Sequence, residues 1–218
     1  MKKMSVSPVR IRTFTVGKME ENCYLVTDTS TDKTIIIDPG DEGNYIAEQA
    51  EQLHCIPTGI IATHGHFDHI MGVSELQMIY HIPFYIHEAD AFLVKRMKET
   101  AEYFLEHVVI EAPPKVDHLM TNGDKIQFGQ SFVSVLSTSG HTPGSVCLSL
   151  SSSNSVFVGD TIFAQGAIGR TDFSYSSKAE IDHSIHRILR FPSATVLYPG
   201  HGETTTVKDE KVYHRIVI

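Results

Sequence analysis

Residues 63–69 place three histidines and an aspartate within six residues, where a predicted buried strand gives way to a predicted helix. An extended backbone points His64 and His66, two residues apart, to the same side, whereas Asp68 and His69 project from the first helical turn. Zinc binds imidazole nitrogen and carboxylate oxygen at about 2.0 to 2.2 Å, and iron and manganese accept the same ligand types. The segment therefore predicts a metal site built on a strand-to-helix turn.

Three later side chains stand in the same kind of position. His141, Asp160 and His201 each follow a predicted strand directly, in a loop that contains glycine or proline. Loops at strand ends are where a rigid scaffold places catalytic groups, and a neighbouring glycine allows the backbone to come close. Each donor alone is an ordinary turn residue, but together they supply the ligands that the first segment lacks.

In chain order, these side chains resemble the ligand set of the metallo-β-lactamase superfamily: His64, His66, Asp68, His69, His141, Asp160 and His201. The resemblance covers nearly the whole chain. Residues 140–145, 159–163 and 169–172 are further similar to the hydroxyacylglutathione hydrolase, or glyoxalase II, branch of that superfamily. The fold that the resemblance implies is a single α/β domain over residues 1–218, a four-layer α/β/β/α sandwich.

The resemblance also implies two divalent ions, with zinc favoured and iron or manganese as alternatives. The first ion would be held by His64, His66 and His141. The second would be held by Asp68, His69 and His201. Asp160 would bridge the two ions, and it would hold their separation because it offers one oxygen to each.

Two ions about 3.5 to 4 Å apart share one water, lower its pKa and supply a hydroxide beside a carbonyl that a metal polarises. Such a site needs no serine or cysteine nucleophile. Among the ligands, Asp68 is the candidate catalytic residue, because a carboxylate at the edge of the hydroxide accepts its proton. Asp38 ends a predicted strand and is expected to tie down loops beneath the site by accepting hydrogen bonds.

Similarity to glyoxalase II implies hydrolysis of a small-molecule thioester, with S-lactoylglutathione as the reference substrate. Arg170 is a candidate contact for an anionic substrate, although a pair between Arg170 and Asp172 explains the same residues equally well. The chain resembles the short members that lack the helical glutathione-binding domain, so glutathione recognition stays open.

Three other functions remain open from the sequence. A persulfide dioxygenase resembles the same pattern and uses one iron held by two histidines and an aspartate. A lactonase or β-lactamase would use the same hydroxide. A noncatalytic binding module of the same fold is also possible, but such a protein should lack one or more ligands, and all seven are present.

Composition agrees with a small enzyme. The chain has 218 residues with 41% hydrophobic content, enough for one substantial core, and no apolar run is as long as a membrane span. A net charge of -8 argues against a nucleic-acid partner. With no apolar secretory segment, we expect a cytoplasmic protein without a membrane partner. Cys23, Cys55 and Cys147 are predicted to be free thiols, and the oligomeric state is not encoded in any recognisable pattern.

The order of predicted elements suggests two similar halves. The first half has predicted strands at 9–16, 22–27, 34–38, 58–62 and 84–87, with helices at 43–53 and 68–80. The second half has predicted strands at 125–128, 131–137, 145–150, 155–159 and 194–198, with a helix at 178–190. Between the halves, residues 88–106 have helical composition and are expected to pack as ordinary structure or to cover the site as a lid.

Overall fold

A computed structural model describes residues 9–109 and 111–214, which form two six-stranded sheets. The strands of the first sheet lie side by side in chain order: β1 (Val9–Val16), β2 (Glu21–Asp28), β3 (Lys33–Ile37), β4 (Ile56–Ile61), β5 (Phe84–His87) and β6 (His118–Met120). The second sheet is ordered in the same way: β7 (Lys125–Phe128), β8 (Ser131–Ser137), β9 (Val146–Leu150), β10 (Ser155–Gly159), β11 (Val196–Pro199) and β12 (Thr205–Thr206). Both sheets are mixed: strands β3 to β6 are parallel, as are β10 and β11.

Helices cover the outer faces of both sheets. Those of the first half are α1 (Gly43–Gln52), α2 (Phe67–Ile70), α3 (Val73–Tyr80), α4 (Ala91–Lys95) and α5 (Met97–Leu105). Those of the second half are α6 (Lys178–Ile188) and α7 (Val207–Tyr213). Within the described part of the chain, every helix is too short or too polar to cross a membrane.

Three apolar clusters separate four layers, and β2 shows how the sequence builds them. Side chains of a strand alternate between its two faces. Cys23 and Leu25 join the cluster beneath the helices of the first half, whereas Tyr24 and Val26 join the cluster between the sheets. A third cluster, centred on Ile185 of α6, fills the space outside the second sheet. The predicted α/β/β/α sandwich is confirmed.

The helix predicted at 68–80 is wrong as one element, because it is interrupted at Gly72. The Gly72 N–H leaves the helical ladder and donates to the carbonyl of Pro39 at 3.0 Å. A Cβ at this position would lie only 2.8 Å from that carbonyl oxygen, so a glycine is needed for the close approach. The short α2 that results carries two of the predicted ligands as a separate turn.

The segment predicted to be helical at 88–106 is also divided. A single 3₁₀ turn at Glu88–Asp90 precedes α4. Arg96 separates α4 from α5, because its backbone N–H donates to the carbonyl of Leu93 at 3.0 Å, three residues back. Met97 and Ala101 of α5 are completely buried in the first-half core. The segment thus packs against the core, and Thr100 and Phe104 of α5 line a cavity that also contacts Asp68 and His141.

Three elements were absent from the sequence prediction: β6, β12 and α7. β6 has three residues and β12 has two, too few to show an alternating pattern. The three cysteines are free, as predicted; Cys23 and Cys147 are buried, and Cys55 is partly buried.

Candidate metal centre

All seven predicted ligands meet at one edge of the sandwich, beyond the ends of four strands. β4 is followed by His64 and His66, and α2 carries Asp68 and His69. The remaining three follow strands of the second sheet, namely His141 after β8, Asp160 after β10 and His201 after β11. Donors from the two sheets therefore lie close together, because the strands that precede them end at the same edge of the sandwich.

His64, His66 and His141 form the first donor group, and their ring nitrogens face one another. The Nδ1 atom of His66 lies 3.1 Å from His64 Nε2 and 3.0 Å from His141 Nε2. All three donor atoms lie within 4.8 Å of one another. These are the three residues predicted for the first ion.

The second donor group consists of Asp68, His69 and His201, whose donor atoms also lie within 4.8 Å of one another. Asp68 Oδ2 is 3.4 Å from His201 Nε2 and 4.0 Å from His69 Nε2. Burial would raise the pKa of Asp68, but the hydrogen bond with His201 and the nearby histidine charges lower it below its usual range. The carboxyl group of Asp68 is therefore ionised.

Asp160 lies between the two groups. One oxygen, Oδ1, is 3.5 Å from His69 Nε2, and the other, Oδ2, is 3.7 Å from both His141 Nε2 and His201 Nε2. A single carboxylate thus faces donors of both groups, which is the position predicted for a bridging ligand.

Hydrogen bonds on the outer side of the rings fix which nitrogens carry lone pairs. His141 Nδ1 lies 2.8 Å from the carbonyl of Arg170, an acceptor only, so this nitrogen donates and Nε2 carries the lone pair. The Thr63 hydroxyl donates to Asp38 at 2.7 Å and accepts from His64 Nδ1 at 3.2 Å, which leaves the His64 Nε2 lone pair facing inward. His69 Nδ1 donates to Asp38 at 3.1 Å, which turns Nε2 inward. Burial opposes a charge on this ring, but Asp160, Asp38 and Asp68 raise the pKa of His69 well above its usual value, so a metal ion would take the place of a proton on Nε2.

The donor groups fit divalent cations. A proton on His66 Nδ1 can serve only one of the two lone pairs that face it, whereas a cation serves all three nitrogens. Among the described residues, His69 Nε2 and Asp160 Oδ1 are buried without a hydrogen-bond partner, and both face the cluster. Buried polar atoms rarely remain unpaired, so these atoms match the demand of a metal ion.

Asp38 behaves as predicted, holding the loops beneath the site. Its two oxygens accept from the Thr63 N–H at 2.6 Å, the Thr63 hydroxyl and His69 Nδ1. Glu21 approaches the same ring nitrogen, with Oε1 3.6 Å from His69 Nδ1. Burial raises the pKa of Glu21 well above its usual value, and both of its oxygens lack a hydrogen-bond partner.

Asp90 connects the two ligand loops. Its Oδ2 accepts from the Gly65 N–H at 2.8 Å and the Thr142 hydroxyl at 2.7 Å, while Oδ1 accepts from the Gly144 N–H at 2.7 Å. The side chain is completely buried. One carboxyl group thus joins the turn between His64 and His66 to the loop that carries His141.

Tyr175 contacts the outer nitrogen of His66. Its hydroxyl lies 2.9 Å from His66 Nε2, and its ring stacks on Phe173 at 5.3 Å. Burial raises the pKa of Tyr175 to about 12 and lowers the pKa of His66 to about 3. At neutral pH both groups are uncharged, so His66 can offer a lone pair through Nδ1.

A cavity of about 370 Å³ opens above the donor groups. Its walls are mainly apolar and include Phe104, Phe163 and Phe173. Arg170 also lines the cavity, but its guanidinium donates to both oxygens of Asp172, at 3.0 and 2.8 Å. The alternative prediction of an Arg170–Asp172 pair is therefore confirmed.

Sequence patterns did not identify Glu21, Asp90 or Tyr175 as parts of the site. Glu21 opens β2, and its burial at one end of a strand has no local signal. Asp90 could have been suspected only from its place among apolar residues. The partners of all three come from distant parts of the chain.

Comparison with known proteins agrees with this geometry. A family model described as the metallo-beta-lactamase superfamily matches residues 16–201, which include all seven donors. A probable metallo-hydrolase of Bacillus subtilis is 33% identical over 92% of this chain and 93% of its own length. A hydroxyacylglutathione hydrolase of Haemophilus influenzae is 28% identical over 93% of this chain and 95% of its own length.

Two solved structures share the fold along nearly their whole length. The B3 metallo-beta-lactamase BLEG-1 has a TM-score of 0.86 at 28% identity, with 94% of this chain and 98% of that chain covered. TTHA1623, solved in a di-iron-bound form, has a TM-score of 0.81 at 30% identity, with 92% and 96% covered.

Proposed function

Because the chain belongs to the metallo-beta-lactamase superfamily, whose members are mostly metal-dependent hydrolases, we propose that it is a binuclear thioesterase. The substrate would be S-lactoylglutathione or a related acyl thioester. One observation carries the proposal: two three-residue donor groups share Asp160 on the floor of a cavity large enough for a small molecule.

The metal sites are part of the same proposal. His64, His66 and His141 would hold one ion. Asp68, His69 and His201 would hold the other. Two bound ions would polarise a carbonyl group and lower the pKa of a water molecule. Zinc, iron and manganese all accept this donor set, and the di-iron form of TTHA1623 supports iron as well as zinc.

The protein's own groups then orient the reactants and move the proton. Asp68 lies at the edge of the second donor group and lines the cavity, so its carboxylate is placed to accept a proton from the attacking water. Asp38, the Arg170 carbonyl and the Thr63 hydroxyl orient three imidazoles so that their Nε2 atoms point inward. The apolar walls lower the dielectric constant beside the donor groups, which strengthens charge interactions there.

A thioester is the preferred substrate class for two reasons. The Haemophilus relative named as a hydroxyacylglutathione hydrolase matches this chain over 95% of its own length. A thioester also needs only a positioned nucleophile and an activated carbonyl, because a thiolate leaves readily; the donor set supplies both requirements.

Metal content per chain, paired with S-lactoylglutathione turnover, tests the proposal. We expect two ions per chain and turnover that stops with chelator and returns with added metal. His69→Ala should lower the metal content, whereas His183→Ala, an exposed histidine on α6, should not. A single iron per chain without thioester cleavage would instead favour a persulfide dioxygenase and overturn the proposal.

Asp68→Asn tests the proton-accepting role. An amide keeps the shape of the side chain and cannot accept the proton, so we expect kcat to fall by about 100-fold or more at full metal occupancy. Elemental analysis of the same sample is the necessary control. Unchanged kcat at full occupancy would rule out the role for Asp68.

A further inference from the structure

The cavity above the donor groups has mainly apolar walls. Seven of the lining side chains are aromatic or aliphatic: Met19, Phe67, Phe104, Phe163, Ile168, Phe173 and Tyr175. Two pairs of these rings are stacked: Phe104, on α5, lies on Phe67 with ring centroids 5.8 Å apart, and Phe173 lies on Tyr175 with centroids 5.3 Å apart. Aromatic surfaces of this size favour apolar groups of similar size.

Cationic groups that could bind a charged substrate are scarce. Arg170 is the only lysine or arginine among the lining residues, and Asp172 occupies its guanidinium with two hydrogen bonds. The same guanidinium lies over the ring of Phe173, 4.6 Å from its centroid. Glutathione carries two carboxylates and one ammonium group, so it would find no unpaired cationic side chain on these walls.

We infer that the substrate is a thioester with an apolar, aromatic-sized acyl group and an uncharged thiol portion. The inference rests on the proposed function and specifies its substrate class. In the reaction, a water oxygen bonds to the acyl carbon, the carbon–sulfur bond breaks and the leaving thiolate takes up a proton. The products are an apolar carboxylic acid and a free thiol, and no other reactant is needed.

Three substrates that differ by one change at a time test this inference. S-Lactoylglutathione is compared with S-phenylacetylglutathione, which changes only the acyl group, and then with S-phenylacetyl-N-acetylcysteamine, which changes only the thiol. Burying a phenyl ring should raise kcat/KM by about tenfold or more in the first step. In the second step, kcat/KM should not fall. A preference for S-lactoylglutathione would overturn the inference.

Substitutions of lining residues test whether the aromatic side chains of the cavity cause the preference for a phenylacetyl group. Phe104→Ala should lower kcat/KM for the phenylacetyl substrates by about tenfold more than it lowers kcat/KM for S-lactoylglutathione. Tyr103→Ala is the matched control, because this neighbouring aromatic is 77% exposed and lies outside the cavity. Met19→Ala provides a second wall variant at a position 40% exposed, where folding is not at risk. Equal effects on both acyl groups would contradict the inference.

A binding measurement separates failure of the substrate class from failure of the proposed function. Phenylacetate should bind metal-loaded protein at least about tenfold more tightly than lactate, as measured by ligand-observed NMR, and Phe104→Ala should remove the difference. If lactate binds as tightly as phenylacetate, the inference is wrong. If phenylacetate binds as expected but the fully loaded protein cleaves none of the three thioesters, the apolar acyl pocket stands, whereas the thioesterase function and the thioester part of the inference are wrong.

Discussion

At the scale of single residues, Asp90 holds the ligand loops together although it does not line the cavity. Its carboxyl group accepts three hydrogen bonds, two from the Gly144 N–H and the Thr142 hydroxyl beside His141, and one from the Gly65 N–H beside His64. Burial raises the pKa of Asp90, which shows that the interior opposes its charge and that the hydrogen bonds only partly offset this. The donor group therefore depends on a residue that cannot contact a metal itself.

Asp90→Asn should weaken both the fold and the first donor group. The two oxygens accept from different backbone N–H groups, so an amide would place its NH₂ against one of them in either orientation. An unmatched buried donor costs about 1–3 kcal/mol. We expect the free energy of unfolding to fall by about that amount and the metal content to drop. Denaturant unfolding and elemental analysis measure both quantities.

Glu88→Gln is the matched control for Asp90→Asn, since Glu88 lies on the same turn and is exposed. It should leave stability and metal content unchanged. If Asp90→Asn binds metal as fully as the unmodified chain, the two loops are held by other contacts and the role given to Asp90 is wrong.

Whether the sequence identifies a site residue depends on how far along the chain its hydrogen-bond partners lie. The seven donors could be predicted because metal chemistry restricts them to a few residue types in a recognisable spacing. Asp90 and Tyr175 could not, because their hydrogen bonds reach residues 25 to 109 positions away. Asp38 was predicted only because it ends an apolar strand, next to the strand that leads into the metal motif.

At the scale of elements, the strand ends bring the donors together, and the glycines there make this possible. Gly200 follows β11 directly and joins two neighbours: its N–H donates to the Gly159 carbonyl at 2.9 Å, and its carbonyl accepts from the Asn22 N–H at 2.8 Å. A Cβ on Gly200 would lie 2.2 Å from Asp160 Oδ1 and 2.6 Å from His69 Cε1. The backbone at this strand end therefore occupies space that no side chain can share.

Gly200→Ala should displace Asp160 and disrupt its position between the donor groups. The overlap is with a ligand oxygen and a ring atom of a second ligand, so both would have to move. We expect metal content to fall below one ion per chain and stability to drop by about 1–3 kcal/mol. Gly59→Ala in β4 is the control, because its Cβ would be 3.4 Å from the nearest atom. Two tightly bound ions in Gly200→Ala would contradict this account.

Element prediction succeeded where a regular pattern was long enough. β1 is eight residues and matches its predicted range, and β2, also eight residues, begins and ends one residue outside its own. The helix predicted at 68–80 failed because Gly72 donates to Pro39, a tertiary contact that periodicity does not encode. Very short strands such as β12 form only because a neighbouring strand pairs with them, since two residues are too few to show an alternating hydrophobic pattern.

At the scale of the whole molecule, the donors connect the two sheets. His64 follows a strand of the first sheet, whereas His141 and Asp160 follow strands of the second. The apolar cluster between the sheets already joins them through residues such as Tyr24 and Phe157, whose rings are 5.0 Å apart. Bound ions would add a second connection at the edge, and without them buried donor atoms face one another uncompensated.

Metal removal should therefore lower the thermal stability of the whole molecule. An ion present at about 1,000 times its dissociation constant stabilises the folded state by about 4 kcal/mol. For a chain of this size, that corresponds to a change in Tm of about 8 to 16 °C. Calorimetry before and after chelation, and after metal is restored, measures the change.

His64→Ala separates metal binding from other effects of the chelator. Without the His64 imidazole, the first donor group is incomplete, so this variant should begin with a lower Tm and lose less on chelation than the unmodified chain. His183→Ala should show the full chelator effect, because His183 is exposed on α6 and lies outside both donor groups. If chelation lowers the Tm of His64→Ala as much as that of the unmodified chain, the stabilising ion is bound elsewhere. The first donor group would then contribute nothing to the connection between the sheets.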